Sequence, residues 1–168
     1  MLVVGMFQKY MQSIIVDNKT ILLEFNENPK FWRTKLFIGL TEIEIEIFSE
    51  FHNQEDVDWE HFTKFIKYVS NQGFLNEIVS ASQNLITEIG KAYFRKHIDL
   101  VANWNMVFNN SLYYNGKTNE INNSCQFCYT LIFNYFDTTG QNTNGDDFGL
   151  YLVDLEDAKI IAARRYQC

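Results

Sequence analysis

The pair of cysteines in SCQFC, Cys125 and Cys128, has the spacing used for thiol exchange or for half of a zinc site. Its setting argues against both. CQFCYTLIFNYF alternates as a strand, with Cys125, Phe127, Tyr129, Leu131, Phe133 and Tyr135 on one face and Cys128, Thr130 and Ile132 on the other. Two thiols on opposite faces neither bridge nor share a metal, and no second CxxC or nearby histidine completes a zinc site. With Cys168 the set is odd, and all three read as ordinary buried or half-buried thiols. His52 and His61 stand near Asp56 and Asp58, a grouping suited to a metal or to acid-base work, but the spacing matches neither HExxH nor HxH. His61 falls in the first turn of a predicted helix and reads as a surface residue. His97 falls at a helix end, where a cation meets the negative end of the dipole.

DTTGQNTNGDD looks like a calcium loop at first sight. Aligning Gly145 with the obligatory glycine puts Gly140 at the first ligand position and Tyr151 at the last, so it reads as a polar hairpin loop in which Asp137, Asp146 and Asp147 hold at most a weak cation. GxSxG, P-loop and GxGxxG patterns are all missing from the sequence. Carboxylates are abundant, which keeps a metal-dependent hydrolase as a third reading. The expectation is a chain that is not an enzyme and uses no cofactor and no metal.

What remains is charge. TEIEIEIF sets Glu42, Glu44 and Glu46 against Ile43, Ile45 and Ile47 in strict alternation. On a strand, side chains two apart stand about 6.6 to 6.8 Å from each other on one face, so the three acids form a ladder. Between Thr41 and Glu60 there are eight acids and no Lys or Arg, which accounts for the whole net charge of -7 and leaves the remainder near neutral. Nothing within this segment neutralises the ladder. A second base-free stretch runs from Asp137 to Ala158. If the fold joins the two, one face carries a concentrated negative potential. Such a balance excludes nucleic acid and anionic membrane as partners, since either demands a basic patch. Arg164 and Arg165 are adjacent in a strand and face opposite ways, so they supply none.

The elements that must position these groups are legible from periodicity. MQSIIV and TILLEF flank Asp17-Asn18-Lys19 as a hairpin; FWRTKLFIG and TEIEIEIF flank Gly39-Leu40 as another; Pro29 marks the loop between them. At Asp58, a plausible helix cap, the period changes to 3.6, with Trp59, Phe62, Ile66 and Val69 on one side. Asn71-Gln72-Gly73 ends that helix, and a second follows from Leu75 to Tyr93. HIDLVANWNMVF reads either as a third helix or as a connection into a strand. Strands return from Leu112, with Asn115-Gly116 as a turn and a final hairpin turning within Leu155 to Ala158. The expectation is one domain over 1–168: strands over about 8–50, helices over about 58–108, strands over about 111–166. The fold class is α+β, a mainly antiparallel sheet with two or three helices packed on one face. No ~20-residue apolar run and no signal-peptide pattern appears, so a cytosolic protein is expected.

A small, acidic, asparagine-rich α+β chain ending in a hairpin such as DDFGLYLVDLEDAKIIAARRY resembles the immunity-type proteins encoded beside bacterial polymorphic or contact-dependent toxins. The resemblance implies a cytosolic inhibitor that binds a cognate toxin. It carries no residue across by motif. The partner-binding residues expected from charge alone are Glu42, Glu44, Glu46, Asp56, Asp58, Asp146 and Asp147, facing a basic protein. The alternative is a scaffold subunit that associates through aromatic surface around Phe31, Trp32, Tyr113 or Tyr114.

Overall fold

The computed structural model describes residues 11–27, 29–47, 57–94, 104–116, 126–137 and 150–166. Its strands are β1 (Met11–Val16), β2 (Lys19–Glu27), β3 (Lys30–Ile38), β4 (Thr41–Ile47), β5 (Trp104–Gly116), β6 (Cys128–Asp137), β7 (Leu150–Glu156) and β8 (Lys159–Tyr166). Helices α1 (Trp59–Val69) and α2 (Gln72–Phe94) lie between β4 and β5. The strands form a single eight-stranded sheet in sequence order, antiparallel everywhere except between β4 and β5. Two-residue turns reverse the chain between β1 and β2, β3 and β4, and β7 and β8, whereas the passage through two helices returns it to start β5 in the direction of β4. The architecture is α+β, with a larger sheet than the sequence implied and two helices among the described residues.

The turns follow their residues. Asp17 and Asn18 both take positive φ, 46° and 65°, as a two-residue type I′ hairpin requires. Gly39 stands at φ 63°, the first central position of the β3–β4 turn. An added Cβ there would also press on the Gln72 side chain, but that side chain can swing away, so the positive φ is the real constraint. Asp58 caps α1, its carboxylate accepting the His61 N–H at 2.9 Å. At the start of α2 the Asn71 side chain accepts from Phe74 N–H at 3.2 Å.

One boundary differs from the sequence reading. The residues Trp104 to Phe108 are strand, not helix, so β5 begins well before Leu112. The strand was hidden by its own irregularity. Met106 and Phe108 point inward, paired in register with positions 135 and 133 of β6, then the register shifts before Leu112, and Asn110 is forced to φ 60°. This bulge interrupts the alternation that periodicity relies on.

The core lies between one face of the sheet and the helices. Ile43, Ile45 and Ile47 from β4, Leu112 and Tyr114 from β5, and Tyr129, Leu131 and Phe133 from β6 meet Phe62, Phe65, Ile66 and Val69 of α1 in one cluster with Leu75, Ile78 and Ile86 of α2. Each fully buried aliphatic or aromatic side chain contributes about 1.5 to 3 kcal/mol. Cys128 is buried on the opposite face of β6, beside Thr130, as the alternation implied.

Candidate functional site

With the isoleucines of β4 turned to the core, Glu42, Glu44 and Glu46 stand together on the other face of the sheet. The cross-strand pairs carry that face sideways in one continuous row: Met11, Glu24, Arg33, Glu46, Tyr113, Thr130, Asp154 and Ala162, one residue from each strand β1 to β8. The helices cover the reverse face.

The ladder does not stand unneutralised. The two-residue turn at Gly39-Leu40 pairs Lys35 with Glu44 and Arg33 with Glu46. The Lys35 ammonium donates to Glu42 Oε1 at 3.1 Å and lies 3.5 Å from Glu44 Oε2. That hydrogen bond, with the charges of Glu42 and Glu44, raises the Lys35 pKa. Arg33 is shared, 3.9 Å from Glu24 and opposite Glu46. Among the described residues, the three ladder carboxylates Glu42, Glu44 and Glu46 face Lys35 and a shared Arg33, so the charge of the row is negative. Glu46 shows the strain of that excess. Burial first, then the charge of Glu44 and a hydrogen bond to it, raise the Glu46 carboxyl above its ordinary value against the opposing pull of Arg33.

Beside the ladder, the β5 bulge opens a recess of about 460 Å³ lined by Lys35, Leu40, Thr41, Glu42, Glu44, Asn109, Asn110 and Ser111. The recess exists because β4 and β5 pair only from Glu44 and Ser111 onward. Below that pair the strands part around Asn110. Asn109 Oδ1 accepts the Ser111 N–H at 3.0 Å and fixes the bulge.

Of the other residues expected on charge grounds, Asp58 is on the helix side of the sheet, engaged as the α1 cap, and does not join the ladder. Asp56, Asp146 and Asp147 lie outside the described residues, as do His52, His97, Cys125, Cys168 and the loop DTTGQNTNGDD beyond Asp137. From the second acidic segment, Asp154 does share the outer face, yet it is consumed internally. It accepts from Thr130 Oγ1 at 2.7 Å and from Arg164 Nε at 3.0 Å and Nη2 at 3.3 Å, while Asn115 donates to Thr130 at 2.9 Å. Asp157 is likewise structural, its carboxylate accepting the N–H groups of Gln126 and Phe127 at 3.1 and 2.8 Å.

His61 is buried, not a surface residue. Its Nε2–H donates to the Gln126 carbonyl at 2.7 Å, and its Nδ1 accepts from the Tyr114 hydroxyl. Burial, with the charges of Asp58 and Cys128 behind it, pushes the Tyr114 hydroxyl far above its ordinary range. The pair sits in an aromatic cluster with Phe62, Phe65 and Phe127 and ties α1 to the sheet. Of the aromatic surface expected for a scaffold, Phe31, Trp32 and Tyr114 are buried, because β3 and β5 turn Trp32 and Tyr114 onto the core face. Among the described residues no group of three or more His, Cys, Asp and Glu is placed to hold a metal, and no helix is long and apolar enough to cross a membrane. No family model, no curated protein and no solved structure matches the chain.

Proposed function

We propose that this protein is a non-enzymatic binding module, of the immunity type, that neutralises a basic partner protein through the acidic face of β3, β4 and β5. The observation that carries the reading is the row of Glu42, Glu44 and Glu46 on a sheet face the helices leave uncovered, holding more negative charge than Lys35 and Arg33 balance. Like charges this close are unfavourable for the free protein, and a cationic partner relieves them. Such complementarity raises the rate of encounter and selects the partner. The adjoining recess, walled by Glu42 and Glu44 with the amide side chains of Asn109 and Asn110, offers oxygen acceptors to a lysine or arginine side chain.

The test is a pull-down from lysate of the native organism at low and at high salt, with the wild type and a Glu42/Glu44/Glu46→Gln variant as baits. A basic protein held by the wild type, released by salt and lost with the variant, supports the reading; its expression alone should then arrest growth, and coexpression with the wild type restore it. Capture that is indifferent to both salt and the variant returns the ladder to a solvated strand face.

A further inference from the structure

We propose that the outer face of β1 to β3 is the apolar half of the same docking surface, and that its occupant is a basic amphipathic segment of the partner, seated with its apolar side chains on Ile15, Leu22 and Phe37. The proposal rests on the acidic-face reading above and adds the chemistry of the segment that binds. Ile15, Leu22 and Phe37 are 70%, 55% and 72% exposed, although each stands within a paired strand. Ser13 pairs with Leu22 and Ile15 with Thr20, so Ile15 and Leu22 are diagonal neighbours on β1 and β2. Phe37 pairs with Glu42, which brings the apolar surface directly against the acid ladder. Leu40, 98% exposed at the β3–β4 turn, extends it to the rim of the recess.

A strand face meant only for water is filled as β4 is filled, with charged side chains. Three large apolar residues at such positions are the composition of a contact surface. Charge decides what contacts it. A wholly apolar partner would strip water from Glu42 and Glu44 without pairing them, which is costly. A second copy would bring the same excess of acid against itself. A segment with lysines or arginines beside its apolar residues satisfies both halves at once. Lys35, held between Glu42 and Glu44, marks in the free protein where such a cation rests. The acids govern how fast the segment arrives, and the apolar contacts govern how long it stays.

The experiment uses three fluorescent peptides with equal numbers of lysines: a helical peptide with leucines on one face and lysines on the other, a scramble of the same composition, and an oligolysine. Fluorescence anisotropy measures each against the wild type, the Glu42/Glu44/Glu46→Gln variant, and the single variants Leu22→Ser and Phe37→Ser, with thermal melts confirming that all fold. The expected result is that the amphipathic peptide binds best, that Phe37→Ser weakens it roughly tenfold while leaving oligolysine unchanged, and that the glutamine variant weakens all three. Equal binding of amphipathic and scrambled peptides, or a preference that survives both serine variants, overturns the apolar half alone. Oligolysine binding indifferent to the glutamine variant overturns the acidic reading itself. Sedimentation showing a dimer of the wild type that Phe37→Ser dissociates would give the face to a second copy, and also overturns the proposal.

Discussion

Replacing Glu46 by Gln should stabilise the protein at neutral pH, and the sign follows from the face it sits on. Glu46 shares one side of β4 with Glu44, is half-buried between Arg33 and Tyr113, and has its carboxyl pKa raised by burial, by the charge of Glu44 and by a hydrogen bond to that residue. A pKa raised on folding means the folded state holds the proton more tightly than the unfolded state. The stability this gives is fully present below the unfolded value, about 4.3, and is lost as pH rises through the folded value. At pH 7 the ionised Glu46 is therefore a net cost. Two charges at the backbone spacing of about 6.7 Å repel by roughly 0.6 kcal/mol in water and by about 2.5 kcal/mol at an effective dielectric of 20, and the Glu44 and Glu46 carboxyl groups, close enough to hydrogen-bond, stand nearer than that. Partial exposure and the lost attraction to Arg33 reduce this, leaving an expected gain of about 0.5 kcal/mol for Glu46→Gln. Urea denaturation at pH 7 should show a higher midpoint with an unchanged slope, and at pH 4 or below the gain should shrink towards zero, because the wild-type carboxyl is then protonated and nearly isosteric with the amide. A destabilised variant at pH 7, or a gain of equal size at both pH values, would refute the account of this face.

Three further substitutions probe the scaffold that presents the face. Asp58→Ala removes the α1 cap and should lower stability by about 1 kcal/mol, read by urea denaturation, with no effect on binding of a cationic partner. Tyr114→Phe strands the Nδ1 of a buried imidazole and should cost about 1 to 3 kcal/mol. The wild type should also lose stability as pH climbs above about 10, where the unfolded tyrosine ionises before the folded one does, and Tyr114→Phe should lose less over the same range. Gly39→Ala places a Cβ at φ 63° in the turn that sets the β3–β4 register, and a loss of about 1 kcal/mol or more in thermal or urea unfolding is expected.

Local pattern carried the elements well, because their signals are local. The alternation of TEIEIEIF, the cap at Asp58 and the turn residues Asp17-Asn18 and Gly39-Leu40 each depend on neighbours a few positions away. The neutralising partners of the ladder were legible in principle. A two-residue turn after Ile38 pairs Ile38 with Thr41, and counting back from there sets Lys35 against Glu44 and Arg33 against Glu46. Looking for bases only within the acidic segment overlooks them, since a strand's charge partners lie on the next strand. The burial of His61 was not legible, because its partners Tyr114 and Gln126 are 53 and 65 residues away and meet it only across the helix and sheet. The same holds for Asp157, whose carboxylate closes on backbone groups at the start of β6, and for the bulge at Asn110, where two asparagines masked a strand and periodicity left a third helix and a connection into a strand both open.

The proposed recognition of a basic protein by the glutamate row of β4 is tested by the affinity of the captured partner over a series of salt concentrations, for the wild type and for Glu42/Glu44/Glu46→Gln. Wild-type affinity should fall steadily as salt rises, and the variant should bind more weakly at low salt with a distinctly shallower dependence, the two curves converging at high salt. Parallel curves of equal slope would contradict it, since the charge that steers the partner would then lie elsewhere on the molecule.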